Sequence, residues 1–465
     1  MGKHWITDWR PDDESFWKER GEAIARRNLA FSIFAEFLGF SVWVVWAVVA
    51  SQLGKAGFAF STSQLFVLVS LPPLVGSVMR LPYTMAVPKF GGRNWTVVSA
   101  LLLLVPTLLL PVAVQNPDTP YWVFMLVAAT AGLGGGNFSS SMANISFFYP
   151  DEKKGFPLGL NAAGGNIGVA VTLAFVPLLV TTAIFEGLLG SGQGPTGAIH
   201  LQNAGYVFVP FILAAALCAW LFMDNLVVAA SPAREQLRAL RRSDTWIMSV
   251  VYIGTFGSFI GFSSALPVLI DTQFPDVAVA LAFLGPLLGS VVRPFGGWLS
   301  DRVGGARVTI WVFAVMIVSV AGILFFLGAK GEPWAFAGFL ATFVVLFVGS
   351  GMGNGSTFRM IPVIFRKQML EGVDGGDAEA RSKAVVAAKR EAAAVLGFCG
   401  SIGAFGGFLI PQVFALSRTA FGGPQVALGV FAAFYVLCAG LTWFHYQRTA
   451  PVRGRAPSVA AEAGV

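Results

Sequence analysis

"LVGSVMR" (residues 74–80) returns as "LLGSVVR" (residues 287–293), each copy inside a long apolar run and each ending in an arginine. The stretches beyond the two arginines repeat as well. "LPYTMAVPKFGG" comes after Arg80 and "PFGGWLSDRVGG" after Arg293, and in both a Gly-Gly pair begins eleven residues past the arginine. A second match sets "GGGNFSSSMANISFF" (134–148) against "GMGNGSTFRMIPVIF" (351–365); a weaker one sets "GGNIGVAV" (164–171) against "IGAFGGFL" (402–409). The chain therefore reads as two related halves.

Composition says where those halves reside. Of 465 residues 55% are hydrophobic and 12% charged, and the mean hydropathy is +0.71. A soluble domain carries roughly 25% charged residues, so a soluble protein with a large core is excluded. Glycine is abundant (54 residues), in keeping with close helix packing through small residues. Cys218, Cys399 and Cys438 lie in apolar stretches without metal-ligand spacing, and read as small packing residues. The histidines, His4, His200 and His445, are scattered towards segment ends. No metal site and no cofactor are expected.

A helix needs about 20 apolar residues to cross a ~30 Å hydrocarbon core. Twelve such runs are predicted, at roughly 28–51, 63–87, 95–115, 121–148, 157–183, 204–228, 245–270, 278–299, 307–328, 334–364, 391–416 and 424–446, here called spans 1 to 12. Their continuous hydrophobicity, without ten-residue alternation, points to helices and not a barrel. The expected organisation is a cytoplasmic N-terminal segment (1–27), a six-helix half (28–228), a basic linker (229–244), a second six-helix half (245–446) and a cytoplasmic tail (447–465). The segment 1–27 is too polar for a cleaved signal peptide and reads as a lead-in, solvated or partly interfacial, that caps span 1.

If both termini are cytoplasmic, the segments on that side hold 25 Lys and Arg, against three (Lys55, Lys330, Arg418) on the other. That asymmetry satisfies the positive-inside rule. It also accounts for the pI of about 9.4 without nucleic-acid binding. The three basic residues left over, Arg80, Arg293 and Arg359, fall within spans. Parallel six-helix halves are a transporter arrangement in which substrate binds near the midplane between halves.

"GGWLSDRVGGAR" (296–307) resembles the cytoplasmic loop motif of the major facilitator superfamily. That resemblance implies a latch made by Asp301, Arg302 and Arg307; the first half has Pro88 where the second has Asp301. "NAAGGNIGVAV" (161–171) and "GSIGAFGGFLIP" (400–411) resemble the paired glycine-rich signatures of the nitrate/nitrite porter (NarK-type) family. "ITDWRPDDESFW" (6–17), "SSMANISFFYP" (140–150), "WIMSVVYIGTFGSFIGFS" (246–263) and "GSTFRMIPVIFRK" (355–367) are similar to that family too. The likeness runs from residue 6 to about 445. It implies an all-α membrane protein of the major facilitator fold, a multi-pass carrier of nitrate and nitrite in the bacterial cytoplasmic (inner) membrane, with a monomer expected.

It also implies site residues. Arg80 and Arg293 match the family's substrate-clamping arginines. Phe138 and Phe256 match aromatics that sandwich the ion, with Phe40 nearby, and Asn166 and Tyr252 match polar groups that bind the ion or hold an arginine. The residue chemistry agrees. An arginine near mid-membrane costs roughly 2.5–3.5 kcal/mol on insertion scales and is normally paired or functional. By residue count both arginines lie roughly two turns from their cytoplasmic helix ends. Apart from Glu36, the acids near spans (Asp224, Asp271, Glu391) lie at helix ends. A guanidinium offers a planar fork of donors and stays protonated, which suits a small planar oxyanion.

Gly164, Gly165 and Gly168 on span 5, with Gly403, Gly406 and Gly407 on span 11, are expected to let helices approach closely and slide. A proton symporter usually needs a titratable group near its site. No Asp, Glu or His falls at mid-membrane between the arginines, which favours nitrate/nitrite exchange. Glu36 and Arg359 complicate this. They fit a gate ion pair, or Glu36 fits a proton carrier, which would make the protein a nitrate/proton symporter. An organophosphate exchanger would also use paired arginines, with more polar cavity residues than are present. A channel does not need the duplicated carrier layout, and no enzyme nucleophile or cofactor motif appears.

Overall fold

Residues 4–150, 153, 155–184, 186–187, 189–227, 240–370 and 378–448 are described by the structure, a computed structural model. In a hydrocarbon layer a backbone has only itself to hydrogen-bond to, so continuous apolar runs become helices. Among the described residues eleven helices are long and apolar enough to cross a membrane. They are Glu14–Gln52, Thr62–Phe90, Gly92–Gln115, Gly155–Leu179, Asn203–Phe222, Ser243–Gln273, Val279–Val303, Gly305–Gly328, Ala335–Leu370, Val395–Phe421 and Gln425–Gln447. These are spans 1–3 and 5–12, several of them longer than their apolar cores predict.

Span 4 differs from expectation. It is a chain of three pieces: Tyr121–Ala131, a 3₁₀ segment Gly132–Gly136, and Asn137–Phe148. The cause is "GLGGG" (132–136). Without side chains this stretch lies directly on its neighbours: a Cβ at Gly132 would meet Val75 and the Gly76 nitrogen, and one at Gly135 would meet Trp43 and the Gly76 Cα. Short 3₁₀ stretches within a helix often mark strain or function.

Contacts divide the chain into two compact units. One comprises Met1–Ser231, Gly261–Leu287 and Gly407–Ala420; the other comprises Pro232–Ile260, Leu288–Gly406 and Phe421–Val465. This partition cuts across the two halves read from the repeat, because parts of spans 7, 8 and 11 belong to the first unit. Within that unit Phe414 stacks on Phe66 (5.4 Å, 21°) and Gln412 donates to Ser70 (2.8 Å). Lys55 pairs with Asp271 at 3.2 Å.

The N-terminal segment is not a solvated tail. Trp5–Ile6 (β1) pairs in parallel with Asn225–Leu226 (β2), just after span 6. Trp9, Phe16 and Trp17 are buried in a cluster with Phe148, Tyr149 and Leu226. The Trp9 indole donates to the Phe147 carbonyl (3.0 Å), and its ring meets Phe16 and Phe148 edge-on at 5.3 and 5.5 Å. Burying an apolar side chain of this size contributes about 1.5–3 kcal/mol, so the segment fastens the ends of spans 1, 4 and 6 together. Asp224 adds a polar tie, accepting from Arg27 (2.7 Å) and Asn28 (3.0 Å). Most of the expected linker and tail, 228–239 and 449–465, lies outside the described residues.

Candidate anion-binding site

In the first unit Arg80 is fully buried. Its Nε donates to the Gly135 carbonyl (3.2 Å), an acceptor left available by the glycine-rich bend of span 4. The guanidinium lies 4.6 Å from the Phe138 ring centroid and 5.6 Å from that of Trp43, within cation–π range. Phe40 completes the wall, with its ring 6.1 Å from Phe138 and 5.2 Å from Trp43. Asn166 is 1% exposed, and neither of its amide atoms has a hydrogen-bond partner among the described residues.

The second unit builds a related cluster. Arg293 is buried; its Nη2 reaches the Tyr252 hydroxyl at 3.4 Å, and its Nη1 has no partner among the described residues. Tyr252 stacks on Phe256 (5.4 Å, 19°), which sits on a π-helical turn, Ile253–Gly257. Such single π-turns recur at functional sites because the extra residue re-aims neighbouring side chains. Phe358 lies over the arginine at 5.7 Å. Among the described residues Arg293 forms no ion pair.

Within the first unit Arg80 lies with Phe138 and Phe40; within the second Arg293 lies with Tyr252, on which Phe256 stacks. Trp43 and Phe358 are additions that residue order does not single out. Trp43 carries a faint signal, three residues after Phe40 and so on the same helical face. Phe358 is hidden by the repeat itself, which aligns Phe138 with Gly355 and so shifts the second aromatic by three residues.

Glu36 and Arg359, expected as a gate pair, each have partners within their own unit. Glu36, fully buried, accepts from the Ser141 hydroxyl and from Asn161 Nδ2 (2.6 Å). Arg359 instead donates to Asp301, and both side chains of that pair are about half exposed (50% and 51%). The hydroxyl of span 4 and the amide of span 5 both donate to Glu36 Oε2, and the loop aspartate pairs with the arginine. Of the other latch residues, Arg302 lies over Trp298 (4.1 Å) and Arg307 is exposed.

The glycines of spans 5 and 11 lie beside the site residues. A Cβ at Gly165 would sit 2.7 Å from Glu36 Oε1 and 3.1 Å from Phe40, and one at Gly168 would strike the Phe37 carbonyl. Gly164 faces Ile33. A Cβ at Gly403 would sit 2.5 Å from the Tyr252 ring, and one at Gly406 would sit 2.5 Å from the Gly257 Cα. In this structure their smallness seats Glu36, Phe40 and Tyr252. Gly407 begins the segment of span 11 that belongs to the first unit.

The Major Facilitator Superfamily model matches residues 29–371. The chain is 43% identical over 455 residues to the nitrate/nitrite transporter NarU of Salmonella typhimurium, covering 97% of each chain. The chain belongs to the nitrate/nitrite porter (NarK-type) family of the major facilitator superfamily. This porter is also 38% identical to the probable nitrate/nitrite antiporter NarK2 of Thermus thermophilus, over 96% of its own length and 97% of that relative. The crystal structure of a D-xylose–proton symporter shares the porter's fold at a TM-score of 0.67 with 12% identity, covering 94% of this chain and 99% of that one. The porter is therefore a multi-pass membrane transporter of the major facilitator fold, and not an enzyme.

Proposed function

We propose that this porter exchanges nitrate for nitrite across the bacterial cytoplasmic membrane by alternating access of two six-helix halves, with Arg80 and Arg293 as the ligands of the anion. One observation carries the reading: Arg293 is buried without an ion pair among the described residues, with Nη1 unpartnered. A charge held in that state needs a counter-ion that comes and goes. The names of the relatives supply which one. Asn166, buried with no partner for its amide among the described residues, offers a further donor, and Phe138 and Phe256 are assigned as the aromatics that sandwich the ion on the strength of the family resemblance. Two guanidinium groups resist approaching each other when the site is empty, so the carrier reorients with an anion bound, and exchange follows. Both termini are assigned to the cytoplasm by the distribution of Lys and Arg, and the porter acts as a monomer.

Glu36 supports a second reading. It is a buried acid in span 1, one turn before Phe40, and a titratable group near an anion site is what nitrate/proton symport requires.

Selectivity tests the site. Nitrite should compete with labelled nitrate for uptake into proteoliposomes, whereas sulfate and phosphate at a hundredfold excess should leave uptake unchanged. Their tetrahedral shape and second charge do not suit a flat aromatic-walled site. Competition by phosphate as strong as that by nitrite would favour an organophosphate exchanger instead.

A further inference from the structure

The repeat that matches GGGNFSSS (134–141) to GMGNGSTF (351–358) aligns Asn137 with Asn354. Both are buried, at 3% and 0% exposure, and neither amide atom of either has a hydrogen-bond partner among the described residues. A buried polar group left unsatisfied is destabilising, so each needs a reason. Asn137 lies against span 1, its Nδ2 2.8 Å from where a Gly39 Cβ would be. Asn354 is placed differently.

Its direction follows from its neighbours around span 10. Gly351 and Gly355 press on span 8, where a Cβ would overlap the carbonyl oxygens of Gly289 and Arg293 respectively. Ser356 faces span 9, 2.8 Å from Thr309. Ser350 and Thr357 face span 7, bonding Thr255 at 2.8 and 3.3 Å. With about 100° between successive residues, Asn354 and Phe358 occupy the sector between spans 7 and 8. That is where Arg293 meets Tyr252 and where the Phe358 ring lies 5.7 Å from the guanidinium and 6.4 Å from the Tyr252 ring. The contact of Gly355 with the Arg293 carbonyl sets Asn354 at the depth of that arginine.

We infer that Asn354 is a further anion-binding residue of the second half, its Nδ2 donating to a small planar oxyanion beside Arg293 Nη1. The assignment rests on the proposed binding of the anion at Arg293. It explains two unsatisfied groups at once, since the amide donor and Nη1 then share one acceptor-rich ligand. It also makes Asn354 a determinant of preference, because nitrate presents three oxygens to the available donors and nitrite two.

The test is nitrate and nitrite binding to the purified full-length porter by calorimetry, with the ligand-free Tm recorded for each variant. Wild type, Arg293→Lys, Asn354→Ala, Asn354→Ser and Asn354→Asp are compared. A hydrogen bond to a charged group corresponds to roughly tenfold or more in affinity. Asn354→Ala should therefore raise the nitrate Kd about tenfold or more, and change the ratio of nitrate to nitrite affinity. Asn354→Ser should fall between it and wild type, and Asn354→Asp, which adds a negative charge, should abolish binding. Serine keeps a donor, so it remains informative if the alanine variant is unstable. Unchanged affinities in the alanine and serine variants, whether or not the ligand-free Tm falls, would make Asn354 a structural residue and overturn the assignment. Failure of wild type to bind nitrate would overturn the underlying reading and this one with it.

Discussion

Arg80→Lys and Arg293→Lys should each lower nitrate transport by about a hundredfold or more, while the protein still inserts and folds. Lysine keeps the charge but loses the planar fork. At about 1.5–3 kcal/mol for each hydrogen bond to a charged group, losing one or two accounts for a drop of that size. Arg80→Lys also removes the donor to Gly135 and weakens the stacking on Phe138. The measurement is initial uptake into proteoliposomes at equal protein content, with ligand-free Tm as the control for folding. Near-normal uptake in either variant would remove that arginine from the site.

The second large effect concerns Glu36. Ser141 and Asn161 both donate to the same carboxylate oxygen. Glu36→Leu removes the acceptor both donors share and leaves them only their bond to each other (2.6 Å), which at about 1–3 kcal/mol for a stranded buried group should destabilise the porter by an amount in that range. Glu36→Gln keeps the shape and one accepting oxygen, so its loss should be much smaller. Denaturation of the purified protein separates the two. Under exchange, Glu36→Gln should retain nitrate/nitrite counterflow within about twofold. If it instead removes pH-driven nitrate uptake while leaving counterflow intact, Glu36 carries the proton and the porter is a symporter. Arg359 should not modify either result, because Asp301 is its partner.

Much of this is legible in residue order. Apolar run length sets the helices, and the duplicated arginine stretch locates both buried cations, since a guanidinium inside a lipid-spanning run has few explanations. The aromatic partners are half legible. Phe138 and Phe256 come from the family resemblance, whereas Trp43 and Phe358 depend on how each helix is rotated. In a membrane span, polar and apolar faces differ little, so periodicity does not reveal rotation. The same limit applies to Glu36 and Arg359: their depths by residue count are similar, but depth says nothing of azimuth, and each finds a partner within its own unit. Span 4 reads as one helix because GLGGG is apolar, although the absence of side chains is what lets it tighten. The N-terminal segment looks solvated because its average polarity is high. The information lies in three aromatics, Trp9, Phe16 and Trp17, whose burial against Phe148 and Tyr149 is a contact so distant in sequence that composition cannot show it.

Exchange of one anion for another at the two arginines is tested most directly in proteoliposomes. Vesicles loaded with nitrite, with unlabelled nitrate, or with no anion substrate are given labelled nitrate outside, each with and without an imposed pH gradient. Exchange predicts rapid uptake against internal nitrite or nitrate, little uptake into unloaded vesicles, and rates that the pH gradient leaves unchanged. Rapid uptake into unloaded vesicles, driven by an inward proton gradient and indifferent to internal nitrite, would contradict it.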